Sequence, residues 1–141
     1  MRRTTTGALA LCLLAAGLLA LAPAVAAAPT SPFEGSWTSI DPVDGSTQHL
    51  YVRGGTGVQV RYVDEYGTTC AEIGASTTVF TGILAGQVSG NELNATFKSA
   101  GCGTTLVLTA RIGFSWIFEY DPSTDTLWGA VNDGPATWHR D

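Results

Sequence analysis

Phe114-Ser115-Trp116-Ile117-Phe118-Glu119-Tyr120-Asp121 decides the fold. Large aromatics stand at every second position, with Ser, Ile, Glu and Asp between them. A period of two places the aromatic set on one face of an extended strand and the other set on the opposite face. A helix would instead repeat its apolar residues three and four apart. Turn formers bound the stretch on both sides. Ile112-Gly113 precede it, and Asp121-Pro122-Ser123-Thr124-Asp125 follow, with Pro at the second turn position, where its fixed φ fits.

The same alternation recurs outward in both directions. Val58, Val60 and Tyr62 form one stripe. Leu93, Ala95 and Phe97 form another against Asn94, Thr96 and Lys98, and Leu106, Leu108 and Ala110 a third. Strands are predicted over 36–41, 47–53, 57–64, 77–88, 92–99, 104–111, 114–121, 126–131 and 136–140. Asp44-Gly45, Gly90-Asn91 and Asp133-Gly134 between apolar runs are hairpin signals. The longest connection, 65–76, holds Cys70. Helical periodicity is absent. The pattern predicts an all-β domain: an antiparallel up-and-down β-barrel of about eight strands, whose closure removes exposed edges. A two-sheet β-sandwich is the alternative. Segments 104–111 and 114–121 are separated only by Ile112-Gly113, so merging them brings nine segments to eight strands.

The start of the chain reads differently. Met1-Arg2-Arg3 is a short basic region, 7–21 is an uncharged run of mostly Ala, Leu and Gly, and Ala24-Val25-Ala26 fits an A-x-A cleavage site. Residues 1–26 are expected to be a Sec-type signal peptide and the protein to be secreted. A membrane anchor is the competing reading, but no basic stop-transfer cluster follows and Pro23 breaks the run. Thr4-Thr5-Thr6 do not suit a twin-arginine signal, and Leu11 before Cys12 does not suit a lipobox. The remainder divides into a short flexible lead, 27–34, and a single domain, 35–141.

The 141-residue chain carries 7 basic and 12 acidic side chains, net −5 at pH 7, and loss of Arg2 and Arg3 makes it more acidic. Such a surface repels phosphate backbones, so nucleic acid and anionic membrane are not expected partners. After cleavage two cysteines remain, Cys70 and Cys102. An even count in an oxidising compartment predicts one disulfide, contributing roughly 3–4 kcal/mol. No C-x-x-C and no histidine beside either cysteine points to a metal or a catalytic thiol.

No residue set argues for catalysis. Asp41 with Asp44, Asp64 with Glu65, and Asp121 with Asp125 flank turns, where Asp commonly bonds its own backbone. No calcium-loop spacing accompanies them. His49 and His139 lack H-E-x-x-H, and no G-x-S-x-G elbow occurs. No cofactor and no metal site is predicted. The aromatics are the best ligand candidates: Trp116, Tyr120 and Tyr62 for a pocket, and Trp128, out of phase with Leu127 and Gly129, for an exposed stacking surface. Core packing is the competing reading for the first three.

Gly35-Ser36-Trp37 at the first strand and Trp138-His139-Arg140 on the last resemble the lipocalin/avidin group of calycin barrels. The resemblance implies that Arg140 covers Trp37 and plugs one end of the barrel. Trp37 with Asp44-Gly45-Ser46, Cys70, Val88-Ser89-Gly90-Asn91, Cys102, Phe118-Glu119-Tyr120-Asp121, Thr124-Asp125-Thr126-Leu127 and the Trp138-His139-Arg140 end is also similar to a small secreted bacterial domain. That likeness implies export and fold and assigns no activity. The expected function is a secreted, non-enzymatic binding module. It would hold a small apolar molecule in the barrel, or an extracellular protein or glycan on its rim. The alternative is an interaction protein whose barrel is filled by its own side chains, and a hydrolase without a recognisable motif ranks third.

Overall fold

The computed structural model describes residues 31–103, 112–131 and 134–141. Eight strands follow in order: β1 (Gly35–Ile40), β2 (Thr47–Gly54), β3 (Gly57–Asp64), β4 (Phe80–Ser89), β5 (Glu92–Cys102), β6 (Ser115–Asp121), β7 (Thr126–Val131) and β8 (Gly134–Arg140). One short helix, α1 (Thr68–Glu72), lies between β3 and β4. Each strand pairs antiparallel with the next, and β1 pairs with β8, so the sheet closes into an up-and-down barrel. Closure excludes the two-sheet sandwich. Predicted strand 104–111, with Leu106, Leu108 and Ala110, lies outside the described residues, as do 1–26. Since β5 pairs directly with β6 from Glu92↔Glu119 to Thr96↔Ser115, the ring closes at eight strands without it.

Alternation governs which side chains enter the barrel. On β3, Val58, Val60 and Tyr62 are buried while Gly57, Gln59 and Arg61 face out. On β6, Trp116 and Phe118 are buried while Ser115, Ile117 and Glu119 face out. Phe114 departs from its predicted stripe: it lies before β6 and is 60 % exposed. The chain turns there, with Gly113 at φ 94°, and the Phe114 carbonyl accepts the Phe97 N–H before the strand direction is set. β4 starts at Phe80 rather than 77. Thr78 and Val79 instead use their carbonyls to accept the N–H groups of Gly67 and Gly103.

The turns divide by mechanism. Gly90-Asn91 join β4 and β5 with positive φ at Gly90 alone, the two-residue II′ pattern. Asp44-Gly45 is not a tight hairpin, because Asp44 keeps negative φ. The loop is wider: Asp41 donates its N–H to the Ser46 carbonyl, and the Asp44 carboxylate accepts the Ser46 N–H. The Asp133-Gly134 signal falls partly outside the described residues. In the long connection, α1 has no periodic signature because it is a single turn. It buries Cys70, whose bond to Cys102 at the end of β5 has a Cα–Cα distance of 5.6 Å across 32 residues of sequence. The β3–β4 connection is thereby tied to the end of β5 at one pole of the barrel.

The expected flexible lead is not free over its described part. Ser31–Glu34 form a turn closed by the Glu34 N–H on the Ser31 carbonyl, and Phe33 is fully buried. Phe33 fills the pole opposite the disulfide, an apolar role that packing near Trp37 makes favourable.

Candidate functional site

The barrel interior is lined by inward residues of all eight strands. Tyr62, Trp116 and Phe97 form its centre: the Trp116 ring stands edge-on to Phe97 at 4.5 Å and to Tyr62 at 4.9 Å between centroids. Phe80, Phe118 and Trp138 extend the network at 5.9–6.5 Å. These tilted and edge-to-face contacts are the preferred geometry of aromatic rings. Backbone reaches them closely as well. A Cβ on Gly82 would sit 2.3 Å from Phe97, and one on Gly129 would sit 2.6 Å from Phe118. Tyr62 and Trp116, expected as pocket-lining residues, therefore contact each other and their neighbours in a close-packed interior.

At the disulfide pole the interior turns polar. Gln48 is fully buried and donates to Asp41 Oδ2 at 2.6 Å. Asp64 accepts from Ser46 Oγ at 2.8 Å, from the Tyr66 N–H at 3.0 Å and from the Tyr62 hydroxyl at 3.3 Å. Burial raises the Asp64 carboxyl above the usual range, partly offset by the Ser46 and Tyr66 bonds. Burial, and then the Asp64 charge, push the Tyr62 phenol well above its ordinary value. Gln48 Oε1 and Trp138 Nε1 have no protein partner among the described residues. Ser39, between their strands, donates to the Thr137 carbonyl at 2.7 Å.

The opposite pole is closed by Trp37 and Arg140, Cα partners on β1 and β8. The Arg140 guanidinium carbon lies 4.0 Å from the Trp37 ring centroid. Its Nε reaches both Asp125 carboxylate oxygens at 3.1 and 2.9 Å, and its two terminal nitrogens donate to the carbonyls of Glu34 and Pro32 at 2.7 and 2.8 Å. The Arg140 bond holds the Asp125 carboxyl below the usual carboxylate range. Trp37 Nε1 donates to the Phe33 carbonyl at 2.8 Å, and Tyr120 packs on both rings while its hydroxyl bonds Asp125. Gly35 has a physical reason: its φ is +140°, and a Cβ would lie 2.8 Å from Arg140 Nη1. Tyr120 is thus part of this plug, four residues along β6 from Trp116.

The fourth aromatic candidate, Trp128, is on the outside and 53 % exposed, opposite Glu119 on β6 and Thr137 on β8. The structure does not bring the four candidates together.

Both histidines flank Thr38 on the outer surface, His49 on β2 and His139 on β8. Thr38 Oγ1 lies 3.2 Å from His49 Nδ1, and His49 Nε2 lies 3.6 Å from Glu65. A nucleophile–base pair needs the hydroxyl to donate to the imidazole. Here the Thr38 hydroxyl donates to Asp141 at 2.6 Å instead. Among the described residues no group of three or more His, Cys, Asp or Glu is arranged to hold a metal ion. Asp121 caps its turn by accepting from Ser123 N–H and Oγ, which holds its carboxyl below the usual range.

A further cluster was not singled out from sequence. Tyr51, Arg53, Gln59, Arg61 and Ile83 line a groove of about 420 Å³ on the outer face of β2, β3 and β4. The signal was present in the odd-numbered, outward positions of 47–53 and 57–64, which carry these polar and basic residues. Comparisons with protein-family models, with curated proteins and with solved structures found no match to this chain.

Proposed function

We propose that this protein is a secreted, non-enzymatic interaction module whose barrel is filled by its own side chains and which engages an extracellular protein or glycan through its outer surface. The observation that carries this reading is the packed aromatic interior. A small apolar ligand inside would have to displace rings already 4.5–4.9 Å apart at the centre. Small barrels of about eight strands can be just filled by side chains. Export rests on the basic, apolar and small-residue order of 1–26, and the Cys70–Cys102 bond suits an oxidising compartment. The closed ring and the Trp37–Arg140 contact support the resemblance to calycin-like barrels. The Thr38–His49 geometry supports the non-enzymatic reading over a hydrolase.

Native mass spectrometry of the protein purified from the culture medium of its own source tests this. The expected mass is that of a chain beginning at Ala27 with one disulfide and no small-molecule adduct. A stoichiometric apolar adduct released on unfolding would overturn the filled-barrel reading.

A further inference from the structure

The described residues include four basic side chains, Arg53, Arg61, Lys98 and Arg140, among eleven acidic ones. Arg140 is fully engaged in the plug. Arg53 and Arg61 lie on neighbouring strands of one outer face, and the outward positions of β2, β3 and β4 carry no carboxylate. Among the described residues neither arginine makes an ion pair. Two guanidinium groups therefore stand on one outer face without an ion-pair partner among the described residues.

The groove is also ordered. Tyr51 stands directly opposite Arg61, whose guanidinium lies 5.7 Å from the Tyr51 ring centroid. His49, two residues before Tyr51 on β2, stacks on its ring at 6.2 Å with planes 23° apart. This row restricts the Arg61 side chain before any partner arrives, which lowers the ordering cost of binding. Arg53 is opposite Gln59, so Arg53 and Arg61 are diagonal neighbours, with stems roughly 7–8 Å apart. Carboxylates two residues apart on an extended peptide are separated by roughly 6.6 Å, a close match. Guanidinium pairs with carboxylates as a planar fork. Ile83, opposite Arg61 on β4, adds an apolar edge to the groove on the side of Arg61 away from Arg53.

Resting on the interaction-module reading, we infer that the Arg53–Tyr51–Arg61 groove docks an extended acidic segment of an extracellular protein, with Asp or Glu at alternate positions. The probe is a fluorescein-labelled Glu-Ser-Glu-Ser-Glu-Ser-Glu peptide. It is titrated into the intact protein at low ionic strength by anisotropy, with amide shifts mapped by NMR, and polygalacturonate is run in parallel. Saturable binding is expected, with shifts at Tyr51, Arg53, Gln59, Arg61 and Ile83. Affinity should fall about tenfold or more in R53Q/R61Q, and also as salt rises. The charge-matched control N94D/T137D, exposed and on other strands, should retain binding. Circular dichroism verifies that both variants fold. Absence of saturable binding, equal loss in the control, or shifts elsewhere would overturn the inference. Polygalacturonate binding through these residues while the peptide fails would also overturn it. None of these outcomes touches the filled interior, which fails separately on an apolar adduct.

Discussion

Removing Arg140 should open one pole of the barrel. Arg140→Ala deletes the contact 4.0 Å over Trp37, worth about 0.5–2 kcal/mol. It also strips the carbonyls of Pro32 and Glu34 of a charged donor, and such bonds contribute about 1.5–3 kcal/mol where water is excluded. The side chain is 27 % exposed, so water replaces part of this loss. The Asp125 carboxylate is half-exposed and adds at most about 1 kcal/mol. The expected total is about 2–4 kcal/mol. For a domain of this size that corresponds to a Tm lowered by about 8–16 °C. Urea unfolding followed by tryptophan fluorescence measures it directly. Arg140→Lys keeps the charge but cannot reach two carbonyls and a carboxylate as a planar fork, so it should recover less than half of the loss. An Ala variant within about 0.5 kcal/mol of wild type, or full recovery by Lys, would show that the fork does not hold this pole.

Gly35→Ala should disturb the same pole by another route, since its φ of +140° disfavours a side chain and the new Cβ would meet Arg140 Nη1 at 2.8 Å; a loss of at least about 1–3 kcal/mol in urea is expected. The Cys70→Ser/Cys102→Ser variant should keep its far-ultraviolet circular dichroism but lose about 2–4 kcal/mol, read as a lowered urea midpoint. Asp64 has a raised carboxyl in the fold, so folding favours its protonated form and stability falls as pH rises from the ordinary carboxylate value through the raised one. Asp64→Asn should remove that decline, so its stability relative to wild type should rise between acid and neutral pH; a constant offset across that window would show that Asp64 does not titrate with folding.

Much of the fold was legible because an antiparallel barrel repeats one rule. Inward and outward residues alternate, and Val58, Val60, Tyr62, Leu93, Ala95 and Phe97 all obeyed it. Closure was legible through Trp37 and Arg140, whose contact requires the two ends of the sheet to meet. Alternation failed at Phe114 because periodicity persists in a sequence after the backbone has left the strand. It could not reveal α1, whose single turn is set by the buried Cys70 and not by a helical face. Phe33 was apolar and only two residues before Gly35, a cue that its segment packs. The candidate site was less legible. Tyr62 and Trp116 share the parity of the core stripes, so the same pattern fits a pocket wall and a packed interior. Which one holds depends on whether rings from opposite walls meet, a three-dimensional property. Arg53 and Arg61 were read only as part of a net charge, and their pairing across β2 and β3 depends on register.

The Arg140 fork joins residues more than a hundred positions apart: its bonds to Pro32 and Glu34 bring the start and finish of the described chain to one pole. The Asp141 N–H on the Ser36 carbonyl continues that seam. Topologically the barrel is then a ring whose strand numbering is a matter of where the chain happens to be cut. A circular permutant that links the seam with a short flexible segment and opens the two-residue Gly90-Asn91 turn keeps every neighbour relation in the sheet. The same geometry lets a copy be inserted into a host loop as a self-closing bead, entering and leaving side by side.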